Sequence, residues 1–397
     1  MTAFVTPHRS GIDRPGTEHS AGVATFARHL VVPVDDRVAS FHYVWLRDNC
    51  WCSQCRVSQT QERHLWTADI PADIAPRWLS LDDDGTLRIR WNDDHDSAYS
   101  AGWLRAHDYS DQARAERRHE PTLWDASLSS LPTFDYEAVV GSADGQLAYL
   151  SAIRDFGVAI VRNTPSIAGE VERFAESIGH VRETAFERIH NVRHDPTGYS
   201  VAHTPAELMP HTDLPSYHWP PSIQLLHFLV NEAAGGESTL IDGWAVLADL
   251  REEDPAAFAT LARVPVAFQV FSDDEDTYAI SPLVQLDVEG RVRGFRFSNH
   301  LAQPLDTAFE DVEAFYAAYR TLGQKLRTDR YKVAFKTANG DLLTVHGHRV
   351  LHGRLSFDPS SGARHLQDVY MEYDDLMARR RVLLDTHKPL SAMHGVA

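Results

Sequence analysis

The chain has 397 residues, 43% of them hydrophobic, enough for a sizeable core and too long for one small domain. Its 38 Lys and Arg against 56 Asp and Glu give a net charge of -18, which argues against nucleic acid or an anionic membrane as partner. No apolar run approaches the roughly 18 residues of a membrane span. The N-terminus lacks the apolar segment of a secretory signal, so a soluble, cytoplasmic protein is expected.

In chain order, residues 1–27 are rich in Gly, Pro, Ser and Thr without periodicity and read as a disordered tail. Short β-like runs follow at 29–34 and 39–46, and Leu87-Arg88-Ile89-Arg90-Trp91 alternates as a half-buried strand does. A small β-rich domain over 28–120 is expected. It contains the only three cysteines of the chain, Cys50, Cys52 and Cys55, within six residues. That is no disulfide framework, but thiolates so spaced converge on one soft metal ion such as Zn(II). A closed site needs a fourth ligand, for which His64 and His95 are candidates. His95 is favoured because it follows a strand able to return the chain to the cysteines.

A charged, Pro- and Ser-containing stretch at 121–133 reads as a linker, and a second domain is expected over 134–397. Within it the patterns predict a helix from 145 ending near Gly157, a buried strand at 158–161 and a helix at 167–178 capped by Gly179. Strands are predicted at 223–230 and 239–242, helix at 244–262 interrupted at Pro255, short strands over 264–300 and a helix at 305–327. Many short strands separated by turn residues favour a jelly-roll barrel with helices outside.

Among 22 histidines only His211 has an acidic residue two positions later, Asp213. On an extended segment these side chains share a side, which makes two-thirds of the 2-His-1-carboxylate site of non-haem Fe(II). The third ligand has three candidates, His346, His348 and His352. His352 precedes Gly353, which allows a close backbone approach, but pattern leaves the three open. Arg364 follows, of the type that grips a dicarboxylate with two parallel hydrogen bonds.

With these residues in view the chain resembles the γ-butyrobetaine and trimethyllysine dioxygenase family, within the taurine dioxygenase-like Fe(II)/2-oxoglutarate oxygenases. The matching stretches are Leu46-Arg47-Asp48-Asn49-Cys50, Asp94-His95, His211-Thr212-Asp213, Pro220-Pro221, Gln224-Leu225-Leu226-His227, Gly235-Gly236, Asp242-Gly243, Leu351-His352-Gly353-Arg354 and Arg364-His365-Leu366. The resemblance implies a double-stranded β-helix core, a zinc-binding N-terminal domain and a homodimer. It implies Cys50, Cys52, Cys55 and His95 on Zn(II), His211, Asp213 and His352 on Fe(II), and Arg364 on 2-oxoglutarate, with Ser238 and Thr239 assigned to the same cosubstrate site. It implies a reaction with O2 that releases succinate and CO2 and hydroxylates an unactivated C–H bond of a small molecule. Desaturation or cyclisation by the same chemistry, or a metal-binding sensor without turnover, are the competing readings.

The chain departs from the family around the substrate. Four positions where the family cages a trimethylammonium group with Tyr or Trp fall on Phe186, His190, His203 and Tyr370, and Ser200 falls where the family has Asn. Arg296, between Phe295 and Phe297, is a candidate anion-binding residue if it faces the pocket. A small anionic or zwitterionic substrate is therefore expected.

Overall fold

The computed structural model describes residues 22–194, 201–271 and 275–384. Two compact units divide between His119 and Glu120.

In the smaller unit His29–Val34 pairs with Arg37–His42, and a second antiparallel sheet runs Pro76–Leu81, Leu87–Trp91, Asp96–Tyr99. Ala24–Thr25, within the stretch read as tail, adds a short strand beside Leu30 and Val31. The expected run at 39–46 changes type halfway. Tyr43–Asp48 is a helix, with Tyr43, Leu46 and Arg47 buried at helical spacing. Its aromatic and β-branched composition hid that period. Leu30, Phe41, Leu46, Trp91, Tyr99 and Trp103 form the core of this unit.

The larger unit is a jelly roll of two sheets. The major sheet has the order Thr133–Asp135, Val158–Arg162, Leu342–His346, Ile223–Asn231, Arg364–Met371, His190–Arg193. The minor sheet has the order Leu208–His211, Val350–Arg354, Ser238–Asp242, Lys332–Phe335. Every pairing is antiparallel except that of Thr133–Asp135 with Val158–Arg162.

Strand alternation sorts side chains between an outer helical layer and the interior. On the central strand Ile223 and Leu225 pack outward against Tyr149, Ile153 and Phe174, while Gln224, Leu226 and Phe228 line an interior cavity. The next strand sends Val369 and Met371 outward and Arg364, Leu366, Asp368 and Tyr370 inward. Ile241 and Leu351 of the minor sheet pack outward with Leu250, Phe258, Phe315 and Leu322.

The helices over 244–262 are Gly243–Glu253 and Pro255–Arg263, with Pro255 at the first position of the second helix and the Asp254 side chain capping Ala257 N–H. The helix expected at 167–178 is confined to Glu170–Glu176, because Gly169 at φ 84° breaks the chain before it. The long helix is Phe309–Leu326. Residues 120–133 belong to the larger unit, where Trp124 N–H donates to Asp242 at 3.1 Å. Asp242 also takes two hydrogen bonds from the buried Arg349 guanidinium, at 3.0 and 2.7 Å. Removing either partner would cost about 3–5 kcal/mol, because a buried charge would be left unpaired.

Candidate functional site: two metal clusters and a cavity

Cys50, Cys52, Cys55 and His95 offer four ligand atoms that lie within 4.8 Å of one another. The sulfurs are 3.3, 3.4 and 3.5 Å from His95 Nε2. His95 sits at the turn between Leu87–Trp91 and Asp96–Tyr99, where Asp94 takes φ 65° to reverse the chain. Arg47 braces the cluster, donating to Asp93 at 2.8 Å and to the Cys55 sulfur at 3.4 Å, while Asp93 accepts from His95 N–H at 3.2 Å. His64, the other candidate, is exposed. All three cysteines are free thiols. Three thiolates and an imidazole complete a tetrahedral set and leave no position for substrate, as structural zinc requires.

The second cluster is His211, Asp213 and His352. His211 ends the strand Leu208–His211 and lies directly across from His352 on Val350–Arg354. Thr212 between them is fastened outward, its N–H donating to Phe297 O at 2.7 Å and its hydroxyl accepting from Phe297 N–H at 3.0 Å. His211 and Asp213 therefore emerge on one side. Asp213 Oδ1 is 3.1 Å from His211 Nε2 and 3.7 Å from His352 Nε2. His211 Nδ1 is 2.9 Å from Met209 O. That carbonyl fixes the proton on Nδ1 and leaves Nε2 as a ligand atom. Asp213 Oδ2 accepts from Tyr370 Oη and from Gln224 Nε2, each at 2.7 Å. The carboxylate is thus held by one oxygen and presents the other to the histidines. Burial opposes its charge, yet the adjoining His352 and His211 rings and the Tyr370 hydroxyl hold it well below the usual carboxylate range. Burial pushes His352 down to about 4, which keeps its imidazole neutral and able to coordinate. Leu214, immediately after, is buried at φ 49°, a strained conformation for Leu of the kind found where structure fixes a functional residue.

His346 and His348 are not at this centre. The His346 ring stacks on Tyr373 at 4.7 Å, and His348 Nε2 meets Pro220 O at 3.0 Å. Gly353 is required where it stands, because a Cβ there would meet Leu208 O at 2.6 Å and Thr239 Oγ1 at 2.8 Å.

The cluster opens on a cavity of about 540 Å3 between the sheets. Arg364, Ser238 and Thr239 all line it. Arg364 has no acidic partner among the described residues. Its guanidinium lies 5.8 Å from the Phe228 ring and 5.7 Å from that of Phe357. Burial, and then the like charge of Arg354, lower it to about 10. Phe357 pairs with Gly235, which takes φ 76° and where a Cβ would lie 2.5 Å from Ser356 O. A cation without a carboxylate, at a cavity shared with a three-ligand cluster, fits an incoming dicarboxylate. The donors suit Fe(II) with 2-oxoglutarate.

At the other end, Phe186 stacks on His190 at 4.8 Å, and His203 meets His190 edge-on at 5.8 Å. Phe186, His190 and Tyr370 line the cavity, and His203 is buried behind His190. Ser200 lies outside the described residues. Arg296 does not take the expected place. It is buried, but it does not face the cavity. Its guanidinium donates to the carbonyls of Pro215 at 2.9 Å, Tyr217 at 3.0 Å and His218 at 3.1 Å. Those carbonyls belong to the loop that follows Asp213, so Arg296 braces that loop and is not among the residues that line the cavity.

Three residues escaped the sequence reading. Gln224 stood in a matched motif without a role, although its side chain touches both Asp213 and Asp368. Asp368 shares a strand face with Arg364 and Tyr370, a two-residue period that could have revealed it. His300 lines the cavity with its ring 5.1 Å from that of His211, and no local pattern marks it.

Residues 116–370 match the taurine catabolism dioxygenase TauD, TfdA family, and residues 24–105 match the gamma-butyrobetaine hydroxylase-like N-terminal family. The gamma-butyrobetaine dioxygenase of Pseudomonas sp. (strain AK-1) is 39% identical, the match covering 91% of this chain and 96% of that protein. The human gamma-butyrobetaine dioxygenase is 31% identical over 88% of this chain and 92% of its own length. The mitochondrial trimethyllysine dioxygenase of Rattus norvegicus is 30% identical over 89% and 85%. The chain belongs to the TauD, TfdA family and is a 2-oxoglutarate-dependent dioxygenase.

Proposed function

We propose that His211, Asp213 and His352 hold Fe(II), that Arg364 with Ser238 and Thr239 holds 2-oxoglutarate, and that the rest of the cavity holds a small anionic or zwitterionic substrate for hydroxylation. The observation that carries this reading is Arg364, a cavity-lining cation near two aromatic rings and without an acidic partner among the described residues. Its planar fork suits the distal carboxylate of 2-oxoglutarate. Bound iron with 2-oxoglutarate supplies O2 activation coupled to decarboxylation, giving succinate, CO2 and an oxidised C–H bond.

The chain's own residues supply orientation. Tyr370 and Gln224 occupy one Asp213 oxygen, and Met209 O sets the His211 tautomer. Leu226, Phe228, Leu240, Leu343 and Leu366 make the walls apolar and limit access of water to the reacting centre. The Cys3His cluster contributes to the stability of the 28–120 domain, and residues 134–397 perform the reaction. The relatives are named for substrates that carry a trimethylammonium group. Here His190 and His203 replace aromatic walls, so preference for such a group is not carried over. A homodimer in the cytoplasm completes the proposal. Among the described residues no helix is long and apolar enough to cross a membrane.

The test is succinate release with Fe(II), 2-oxoglutarate and O2 across amino acids, betaines and aminophosphonates. The expected result is cosubstrate turnover stimulated by a member of the anionic or zwitterionic set. Absence of any 2-oxoglutarate consumption would refute the catalytic reading. Turnover of γ-butyrobetaine as efficiently as the best substrate would refute the altered wall.

A further inference from the structure

The substrate end of the cavity holds an ion pair. His190 lies directly across from Asp368 on the neighbouring strand, so backbone register fixes the two together. His190 Nδ1 is 3.0 Å from Asp368 Oδ1. The other oxygen of Asp368 accepts from Gln224 Nε2 at 2.7 Å. Asp368 is 1% exposed. Gln224 is a neutral donor already shared with Asp213, so it brings no countercharge. A buried carboxylate needs one, and His190 is the group in contact that can provide it.

The Asp368 carboxylate faces Nδ1 at ion-pair distance, which favours the imidazolium, with a proton on each ring nitrogen. Nε2 is then the free end of the ring. It is buried and has no hydrogen-bond partner in the protein, while the ring itself lines the cavity. Phe186 stacks on one face of the imidazole and holds it in plane. Burial works against its charge, but Asp368, with lesser help from Asp213 and Glu187, favours the imidazolium. A buried donor left unmade is costly, which makes Nε2–H a demand on the ligand.

We propose that His190, charged and oriented by Asp368, is the specificity-determining donor of the substrate site, and that its Nε2–H receives a carboxylate, phosphonate or other oxyanion of a small organic substrate. This rests on the dioxygenase reading of the same cavity. A quaternary ammonium group at this wall would meet a like charge. It carries only C–H bonds and would leave Nε2–H unpaired. An oxyanion satisfies both the charge and the donor.

The experiment uses the full chain with Fe(II) and 2-oxoglutarate under anaerobic conditions. The visible charge-transfer absorption of that complex is followed while butyrate, 4-aminobutyrate, 3-aminopropylphosphonate, choline or tetramethylammonium is added. The oxyanions should perturb the band at concentrations roughly 10- to 100-fold below those of the two quaternary cations without an oxyanion, as a charge-assisted hydrogen bond implies. In His190→Phe combined with Asp368→Gly, scored on protein that retains the band, that preference should be lost and the quaternary cations should gain. Equal or tighter response to choline in the wild type overturns the proposal, and so does an oxyanion preference that survives in the double variant. The wild-type comparison needs no variant to fold. A wild type without any charge-transfer band would instead refute the dioxygenase reading, so the two failures are distinct.

Discussion

The two metal clusters differ in one respect that decides their roles. The Cys50, Cys52, Cys55 and His95 set supplies four ligand atoms, and Arg47 donates to one of its sulfurs. The His211, Asp213 and His352 set supplies three and opens on a cavity of about 540 Å3. A tetrahedral site that is full can only hold the chain together, whereas a facial site of three leaves positions for cosubstrate and O2. The supporting residues follow the same division. Around the cysteines they brace the backbone, as Asp93 does for His95. Around Asp213 they occupy one oxygen and leave the other facing His211 and His352.

The contrast can be broken at either cluster. Cys52→Ser should have the largest effect on stability, because structural zinc contributes on the order of 10–16 kcal/mol of apparent binding free energy to small domains. Metal analysis and calorimetry should show zinc lost and the smaller unit destabilised, with iron still bound. Iron lost in parallel would end the division. Asp213→Ala should do the reverse, abolishing iron binding and lowering succinate release by more than about 100-fold, the upper range for residues that only orient ligands. Zinc content should not change.

Arg364→Ala should raise the KM for 2-oxoglutarate by roughly 10- to 100-fold, the value of hydrogen bonds to a charged group. Iron affinity measured without cosubstrate should stay as in the wild type, and a fall there would mean that Arg364 supports the iron cluster instead. Tyr370→Phe is the mildest change. It keeps the ring and removes one hydrogen bond to Asp213, so iron affinity should fall about 10-fold. An unchanged affinity, with only substrate binding affected, would make Tyr370 a cavity wall and nothing more.

How much of this was readable in the sequence depended on distance along the chain. His211 and Asp213 announced themselves because a two-residue period on extended chain is local. The three cysteines did so through spacing. His95 could be preferred to His64 because a strand precedes it, and the hairpin turn does bring it back. The choice of His352 over His346 and His348 needed the register that sets His352 across from His211. Asp368 and His190 belong to strands far apart in sequence, and only the edge pairing of the major sheet makes them partners. Arg296 shows the opposite difficulty. Alternation with Phe295 and Phe297 suggested a face but could not reveal that three loop carbonyls would hold the guanidinium. The helix Tyr43–Asp48 was concealed because its residues favour strands, and tertiary packing overrode that preference.

The most direct test of the open cluster is optical. Wild-type protein given Fe(II) and saturating 2-oxoglutarate without O2 should develop a weak visible metal-to-ligand charge-transfer band that titrates to one iron per chain beyond the zinc. The absence of that band at saturating cosubstrate would contradict the account.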